Sequence, residues 1–215
     1  FARAPSPGRA KTRLIPLLGA RGAADFQAAL FADTVRKVST LTGQISRYVF
    51  ISGPAFPINS ALANYTLEQQ RGRDLGERLG HAFRQLLQFH PAAMVIGTDS
   101  PLLASRILRQ ALSELRLCDA VLGPCPDGGY YLIGLRRMSR GLFRGVRWGT
   151  PHAFRDSLRN ILRRGFSCSI LEPGADIDRP EDFRRLESEM ANNLAARRGA
   201  PAVWSFIRKH GSFDL

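Results

Sequence analysis

The sequence predicts an α/β protein in which a mainly parallel, mixed sheet carries helices on both faces. Short apolar runs alternate with longer amphipathic stretches along the 215 residues, as they do where crossover helices connect parallel strands. Glycine and proline separate these segments and limit their length. A composition with 44% hydrophobic and 23% charged residues is that of a globular chain with one sizeable core.

The first half of the chain contains two predicted helices and two predicted strands. Residues 26–38 and 75–89 have apolar side chains at helical spacing, which predicts a helix with one buried face in each case. Residues 48–52 and 93–97 are short, continuous apolar runs, which are typical of strands that are buried on both faces.

The second half continues this alternation except at one place. Helices are predicted by apolar spacing at 103–117, 151–165 and 179–198, and a proline lies in the first turn of the last two. Strands are predicted at 120–123, 130–135 and 168–171. Because no helix separates the first two of these strands, we expect a hairpin or an antiparallel insertion there.

Neither a linker nor an internal repeat divides the sequence, so residues 1–198 are expected to form a single domain. Residues 199–215 are expected to be a C-terminal extension that packs Trp204, Phe206 and Ile207 against this body. The chain begins at Phe1 without an initiator methionine, which indicates either processing or a fragment that starts inside an element.

The net charge of +13 favours anionic partners. Its arginines are spread along every predicted helix, however, and nucleic-acid binding needs the cations gathered in one patch, so nucleic acid is not expected as a partner. No apolar run approaches the roughly 20 residues of a membrane span, and the N-terminus lacks the apolar stretch of a secretory signal. The three cysteines have no paired spacing, which indicates reduced thiols and a cytoplasmic protein.

A basic loop at residues 5–14 is the first candidate site. Two prolines and a glycine stiffen its start, and Arg9, Lys11 and Arg13 then alternate along the chain. In an extended loop this alternation would place all three cations on one side, where they suit a polyphosphate. The segment lacks the glycine spacing of a Walker loop, and a basic surface turn is the alternative interpretation.

Aspartates follow two other elements. Asp99 comes directly after the 93–97 strand, where Mg²⁺ could bridge a carboxylate to phosphate oxygens, or where the residue could simply cap the next helix. Asp176 and Asp178 alternate in the chain, so in an extended segment both carboxylates face the same way and either could be a second metal ligand. Asp182 lies in the first turn of the next helix, where a carboxylate is typically structural.

A glycine pair follows an aspartate at 127–129, between the two adjacent strands. The segment Asp127-Gly128-Gly129 can be a simple hairpin turn. Alternatively, the two glycines let the backbone approach a bound ligand closely, and Tyr130 and Tyr131 add aromatic or hydroxyl contacts.

Six segments, in this order, resemble the bacterial radical-SAM/selenodomain-associated transferases, which are also described as arsenosugar-biosynthesis glycosyltransferases. They are FARAPSPGRAKTRL at 1–14, QQRGRDLGERL at 69–79, VIGTDSPLL at 95–103, GPCPDGGYYLIGL at 123–135, LFRGVRWGT at 142–150 and DIDRPEDF at 176–183. The resemblance implies the three-layer GT-A fold of nucleotide-diphospho-sugar transferases, distantly similar to molybdenum-cofactor and phospholactate guanylyltransferases. It also implies that the strand before the first loop is mostly missing.

The same resemblance implies roles for single residues. Asp99 takes the position of the metal-binding aspartate, although Thr98-Asp99-Ser100 has one carboxylate where the usual signature has two, and Asp178 is the second ligand. The implied nucleotide-binding residues are Ala4, Pro5, Gly8, Arg9, Lys11, Arg13, Gln70, Asp74 and Arg78. The implied acceptor or sugar side is formed by Gly128, Gly129, Tyr130, Trp148 and Thr150.

These assignments predict glycosyl transfer from a nucleotide-sugar to a small acceptor. Asp99 and Asp178 would hold Mg²⁺ or Mn²⁺, Lys11 would stabilise the leaving diphosphate, and Asp127 would be the catalytic base. The alternative is nucleotidyl transfer from a nucleoside triphosphate, as in guanylyltransferases, because the same cations and aspartates serve either reaction. A third hypothesis is a nucleotide-binding partner without catalysis.

Overall fold

A computed structural model describes residues 1–54 and 62–210. The chain divides into two compact units. Unit 1 comprises Phe1, Gln69–Gly97 and Arg106–Ala175, and unit 2 comprises Ala2–Glu68, Thr98–Ser105 and Asp176–Leu215. That residues 1–198 form a single domain stays a prediction, and the last five residues of the expected extension lie outside the described part of the chain.

Three short strands form the first sheet, in the order β1-β2-β3. β1 (Ala2–Arg3) pairs in parallel with β2 (Tyr48–Ser52), whose three central residues are buried as the apolar run predicts. The sequence pattern does not predict β3 (Thr66–Gln69), because none of its four residues is fully buried and no apolar alternation marks them.

Helix α1 (Ile15–Ser39) begins well before the predicted range of 26–38. Its first turns are rich in small residues, and Gly22, Ala23 and Ala24 are buried there without producing a clear apolar period. Gly19 has a φ of 70° and interrupts the helical backbone. The apolar spacing of the sequence is therefore also interrupted there, and it does not reveal the start of the helix.

The predicted helix at 179–198 is in fact two helices, α5 (Pro180–Asn192) and α6 (Leu194–Gly199). Asn193 lies between them in an extended conformation, and its side-chain oxygen accepts hydrogen bonds from two backbone N–H groups of α6. Asparagine competes for backbone hydrogen bonds in this way, so it ends one helix and caps the next.

The last described element is α7 (Pro201–His210), which packs in the core of unit 2. Phe26 of α1 contacts Phe183 of α5 and Phe206 of α7, with ring centroids 5.1 and 5.3 Å apart. The carboxylate of Asp33 on α1 accepts hydrogen bonds from two backbone N–H groups in the first turn of α7. Trp204, Phe206 and Ile207 thus pack against the core of unit 2, as expected for them from the sequence.

The four-stranded sheet of unit 1 has the order β4-β6-β5-β7. Its strands are β4 (Ala93–Ile96), β5 (Ala120–Pro124), β6 (Tyr130–Leu135) and β7 (Cys168–Ile170). β6 is antiparallel to both β4 and β5, whereas β5 and β7 are parallel. Three strands thus run in one direction and β6 runs against them, which confirms the predicted antiparallel insertion in a mixed sheet.

The remaining helices lie inside the predicted ranges and confirm the α/β class. They are α2 (Leu75–Leu86), α3 (Ser105–Glu114) and α4 (Ala153–Arg163). Each buries one apolar face, through Phe83, Leu108 and Ile161 respectively. Across residues 1–54 and 62–210, no helix has both the length and the apolar character needed to cross a bilayer.

Candidate functional site

Three residues from distant parts of the chain meet in unit 2. The Nζ atom of Lys11 lies 2.8 Å from Oδ1 of Asp99 and 2.8 Å from Oδ1 of Asp178. It also donates a hydrogen bond to the carbonyl oxygen of Ile177 at 2.6 Å. These oxygens match the three protons of the ammonium in number. The Lys11 side chain is only 4% exposed, whereas the two carboxylates are 43% and 40% exposed.

The basic loop reaches this cluster through an unusual backbone conformation. Lys11 has φ and ψ of 45°, and it is the one non-glycine residue with a positive φ in the described ranges. A left-handed conformation costs a side-chain-bearing residue about 1–2 kcal/mol, so the contacts of Lys11 must offset this strain. A 3-10 helix (Thr12–Leu14) follows directly.

The expectation of an extended loop with three cations on one side is therefore wrong. Arg9 and Arg13 are exposed, while Lys11 points inward between two carboxylates. Gly8, with a φ of 74°, and Lys11 both have a positive φ, and they turn the chain twice within four residues. Alternate residues share one side only in an extended segment, so the alternation of the three cations does not place them together here.

Buried contacts hold Asp99 in place. The side-chain amide of Gln27 on α1 donates a hydrogen bond to the buried hydroxyl of Thr98 at 3.0 Å. The backbone N–H of Ile177 donates to the carbonyl oxygen of Asp99 at 2.9 Å, which joins the two aspartate-bearing segments. Because α3 begins only at Ser105, Asp99 does not cap it, and that alternative interpretation is wrong.

Asp178 is positioned by the start of α5. The carboxylate of Asp182 accepts hydrogen bonds from the backbone N–H groups of Asp178 and Arg179 at 3.2 and 2.8 Å. The structural role expected for Asp182 is confirmed by these bonds. Arg13 adds a second cation, with Nη1 3.6 Å from Oδ2 of Asp178.

The charges of this cluster stabilise one another. Burial alone would lower the pKa of Lys11, but the negative charges of Asp99 and Asp178 outweigh burial, so its pKa is raised. Burial alone would raise the pKa of Asp178, but the charges of Lys11 and Arg13 outweigh it, so that pKa is lowered. Lys11 and Asp178 therefore stay ionised at neutral pH.

In unit 1, the glycine pair forms the turn between β5 and β6. The backbone N–H of Gly129 donates to Oδ1 of Asp127 at 2.9 Å, so the Asp127 side chain folds back on its own turn. Gly128 has a φ of 85°, and a Cβ at this position would lie 2.2 Å from the carbonyl oxygen of Pro151. The hairpin interpretation is confirmed, and the turn packs against the segment that leads into α4.

Two residues of the predicted acceptor side lie in contact. The rings of Tyr130 and Trp148 meet edge to face, with centroids 6.1 Å apart. Burial raises the pKa of the Tyr130 hydroxyl. Thr150 is exposed, and its hydroxyl donates to the carbonyl oxygen of Arg147. The hydroxyl of Tyr131 donates to the carbonyl oxygen of Glu172, so its polar group has a structural partner.

The predicted base- or ribose-contacting residues also lie in unit 1, at the start of α2. The carboxylate of Asp74 caps this helix by accepting from the backbone N–H of Glu77 at 2.8 Å. Nε of Arg78 donates to the carbonyl oxygen of Gly72 at 3.0 Å. Both residues thus order the local turn, and Gln70, which precedes it in the chain, is half-buried. Their contact with a nucleotide stays a prediction.

Sequence reasoning missed two contributors to the cluster in unit 2. One is the Ile177 carbonyl group, and the other is the Gln27 amide that fixes Thr98. A backbone carbonyl has no sequence signal at all. Gln27 lies in an amphipathic stretch, and its only sequence signal is that a polar residue occupies the apolar face of this helix.

Comparisons with known proteins agree with this fold. A family model described as "Uncharacterized protein conserved in bacteria (DUF2064)" matches residues 34–150. A crystal structure from Desulfovibrio desulfuricans G20, provisionally described as a nucleotide-diphospho-sugar transferase, is 27% identical and has a TM-score of 0.84; the match covers 98% of this chain and 95% of that one. The comparison with curated proteins found no match.

A second solved structure is more distant. The structure of CMP:2-keto-3-deoxy-manno-octonic acid synthetase, complexed with CTP, is 11% identical and has a TM-score of 0.51; the match covers 77% of this chain and 88% of that one. Together the two likenesses confirm the predicted fold of the nucleotide-diphospho-sugar transferases.

Proposed function

The chain belongs to the DUF2064 family, and from that premise we propose that it is a transferase that uses a nucleotide-activated donor. The observation that carries the proposal is the cluster of Lys11, Asp99 and Asp178, in which Nζ lies 2.8 Å from both carboxylates and which the fold assembles from three segments. More specifically, we propose that it transfers a glycosyl group from a nucleotide-sugar to a small acceptor. Arsenosugar biosynthesis, which the sequence motifs suggest, is the pathway context that we propose for it.

The loop before Lys11 is proposed to bind the nucleotide. Ala4 and Ala10 are buried and anchor it. The exposed Arg9, and Arg13 beside its longer contact with Asp178, are proposed to present guanidinium groups to the phosphates. Gly53 has a φ of 103° and packs against the start of the loop, because a Cβ added to it would lie 3.2 Å from Cβ of Ala4. The loop backbone at Ala4 is therefore in close contact with the segment that contains Gly53.

The donor set of the cluster fits Mg²⁺ or Mn²⁺. Two half-exposed carboxylates converge on one point, and carboxylate oxygens are the ligands that these ions prefer. Asp99 and Asp178 would hold the ion, which would supply charge neutralisation for the phosphates when bound. Because Nζ of Lys11 lies at the point of convergence, the ammonium and an ion compete for the same two oxygens.

The chemistry proposed for this chain's residues is simple displacement. The acceptor hydroxyl oxygen forms a bond to the anomeric carbon, and the bond from that carbon to the diphosphate oxygen breaks with its electron pair. Arg13 and Lys11 are proposed to stabilise the negative charge that collects on the leaving diphosphate, which is usually the largest catalytic contribution. For Lys11 this step requires its ammonium to exchange one of its carboxylate partners for a diphosphate oxygen. Asp127, exposed on its turn, is the proposed acceptor of the hydroxyl proton.

Nucleotidyl transfer is the second candidate. There the acceptor oxygen would attack the α-phosphorus of a triphosphate, and pyrophosphate would leave with the electron pair. The same cations and carboxylates would stabilise that leaving group. The CTP-bound synthetase supports this candidate only through the fold that it shares with this chain.

The test is a two-stage screen of the full chain. Its melting temperature is measured with nucleoside diphosphates, triphosphates and nucleotide-sugars, with and without Mg²⁺; a ligand at 100 times its dissociation constant adds about 2.7 kcal/mol. Ligands that stabilise the protein are then assayed with acceptor panels. Nucleoside diphosphate release supports glycosyl transfer, and pyrophosphate release supports nucleotidyl transfer.

Two outcomes count against the proposal. Stabilisation by a nucleotide without turnover across both panels would favour the non-catalytic binding partner. If no nucleotide raises the melting temperature, the proposed function is wrong.

A further inference from the structure

Unit 1 contains a cavity of about 630 Å³ between α2 and the segment 138–148. Two glycines on α2 let that segment approach closely. A Cβ on Gly76 would lie 2.6 Å from Nε1 of Trp148, and one on Gly80 would lie 3.7 Å from Cδ2 of Phe143. Small-molecule sites commonly have volumes of about 300–1,000 Å³, so the cavity has room for a small ligand.

The charged groups that line the cavity differ in whether they have an ion-pair or hydrogen-bond partner. The carboxylate of Glu77 pairs with the guanidinium of Arg73 at 2.6 Å, and that of Asp74 accepts a backbone N–H at the helix terminus. Both lining carboxylates therefore have partners. Among the residues that the structure describes, no acceptor pairs with the guanidinium groups of the other three lining arginines, Arg71, Arg84 and Arg144.

Unpaired arginines are common on so basic a surface, but these three have a particular setting. They line one concavity together with the half-buried ring of Trp148. The side chain of Arg84 folds back along its helix, since a Cβ on Gly80 would lie 3.3 Å from Nη1 of Arg84. Its guanidinium group thus lies over the glycine, at the edge of the cavity, and Arg84 stays exposed to solvent.

We propose that this cavity binds a small molecule through a phosphate or carboxylate group, with Arg84 and Arg144 as the principal donors. A guanidinium group offers paired N–H donors that match the two oxygens of such an oxyanion. Trp148 offers an aromatic face to the rest of the ligand. The N-terminus of α2 is not the anion's donor, because Asp74 already caps it.

Within the proposed function, the ligand of this cavity is the acceptor substrate, and that substrate therefore carries a phosphate or carboxylate group. Trp148 lines the cavity and contacts Tyr130, the residue that follows the Asp127 turn in the chain, although Asp127 itself does not line the cavity. This part of the inference rests on the proposed function. The binding of an anion in the cavity does not.

The experiment uses the fluorescence of Trp148. The chain has two tryptophans, so a Trp204→Phe background leaves Trp148 as the single reporter. Inorganic phosphate and malonate are titrated separately at constant ionic strength, with sodium chloride as the screening control. We expect saturable quenching or enhancement, and the anion that binds more tightly identifies the phosphate or carboxylate class.

Variants locate the bound anion. Arg84→Gln and Arg144→Gln should each raise the dissociation constant about tenfold, as the loss of a charge-assisted hydrogen bond predicts. Arg155→Gln is the matched control, because Arg155 is exposed on α4 and does not line the cavity. Lys11→Met should leave anion binding unchanged while it weakens nucleotide binding.

Three outcomes would overturn the inference. They are the absence of saturable binding of either anion, unchanged binding in both Arg84→Gln and Arg144→Gln, and a loss of binding in Lys11→Met alone. Failure of the proposed function is distinguishable, since it removes nucleotide binding and leaves the response of Trp148 to small anions intact.

Discussion

Nζ of Lys11 lies 2.8 Å from Oδ1 of Asp178, although 167 positions separate the two residues in the chain. This contact is made by a lysine in the left-handed backbone region, which a non-glycine residue enters only at a cost. The attraction of two carboxylates offsets that cost. These contacts tie the loop to the two segments that carry Asp99 and Asp178, and on the proposed function they would preorganise it for phosphate binding.

Substituting Lys11 with methionine should destabilise the protein. The change leaves two neighbouring carboxylates without their shared cation, and about 1–3 kcal/mol of the free energy of unfolding should be lost, because both carboxylates keep some contact with water. Urea denaturation at pH 7 measures this loss. Arg9→Met, in the exposed part of the same loop, should change stability by less than about 0.5 kcal/mol. Equal stability of Lys11→Met and wild type would contradict the role given to the cluster.

The proposed metal site, in which Lys11 and a divalent ion would compete for the same carboxylates, predicts a change in metal affinity. In the absence of nucleotide, Lys11→Met should bind Mn²⁺ more tightly than wild type, because a positive charge no longer occupies the space between the carboxylates. Asp99→Asn and Asp178→Asn should each bind it at least about tenfold more weakly. Free Mn²⁺ in an equilibrium titration, followed by electron paramagnetic resonance, provides the measurement.

Glu181→Gln is the matched control for this titration, since Glu181 is an exposed carboxylate close to Asp178 in the chain. If it weakens Mn²⁺ binding as much as the two aspartate variants do, the ion is bound by general negative charge. In that case Asp99 and Asp178 are not its ligands.

Stability at alkaline pH should depend on Lys37, which is buried on α1 and donates a hydrogen bond to the carbonyl oxygen of Pro101. Burial lowers its pKa to about 8, although the charge of Asp33 opposes this and that of Arg36 adds to it. Between pH 8 and the ordinary lysine pKa near 10.4 the unfolded chain binds more protons than the folded one, so the free energy of unfolding rises with pH.

Lys37→Met removes this dependence. Between pH 8 and pH 10, wild type should gain about 1–3 kcal/mol relative to the variant, whereas titrations common to both proteins cancel in the difference. Denaturant unfolding of both proteins at the two pH values measures the gain. A difference that stays constant with pH would show that Lys37 titrates normally in the folded protein.

The turn that carries Asp127 should not tolerate a side chain at Gly128. Its φ of 85° is strained for alanine, and the added Cβ would also meet the carbonyl oxygen of Pro151 at 2.2 Å. Gly149 has a similar φ of 72°, but no atom lies within 4 Å of its Cβ position. Gly149→Ala should therefore cost about 1 kcal/mol, and Gly128→Ala clearly more, as measured by urea unfolding. Equal losses in the two variants would mean that the turn can move away from Pro151.

Much of the fold could be predicted from local patterns. The strands at 48–52, 93–97 and 130–135 are apolar runs bounded by turns, and the helices at 75–89 and 151–165 have apolar side chains at helical spacing. The structure contains all of these elements. Where small residues replaced large apolar ones, as in the first turns of α1, the pattern lost its period and the helix start was missed.

The candidate site was predictable only in part. Asp99 and Asp178 stand at recognisable positions, after a strand and before a helix, so the sequence could single them out as candidate site residues. The direction of Lys11 could not, because it depends on two residues with positive φ that convert an apparent alternation into a turn. The arginines that line the unit 1 cavity had no distinguishing signal in a chain with 31 lysines and arginines.

The amino-acid sequence by itself determined the fold class, the order of most elements and the aspartates at the ends of those elements, because hydrophobic period and turn residues act over short distances. Only the tertiary structure decided that Nζ of Lys11 contacts Asp99, Ile177 and Asp178 together. Such a contact depends on where three separated segments meet after the core has packed. The place where the three segments come into contact depends on the packing of the whole unit, so no local sequence pattern predicts it.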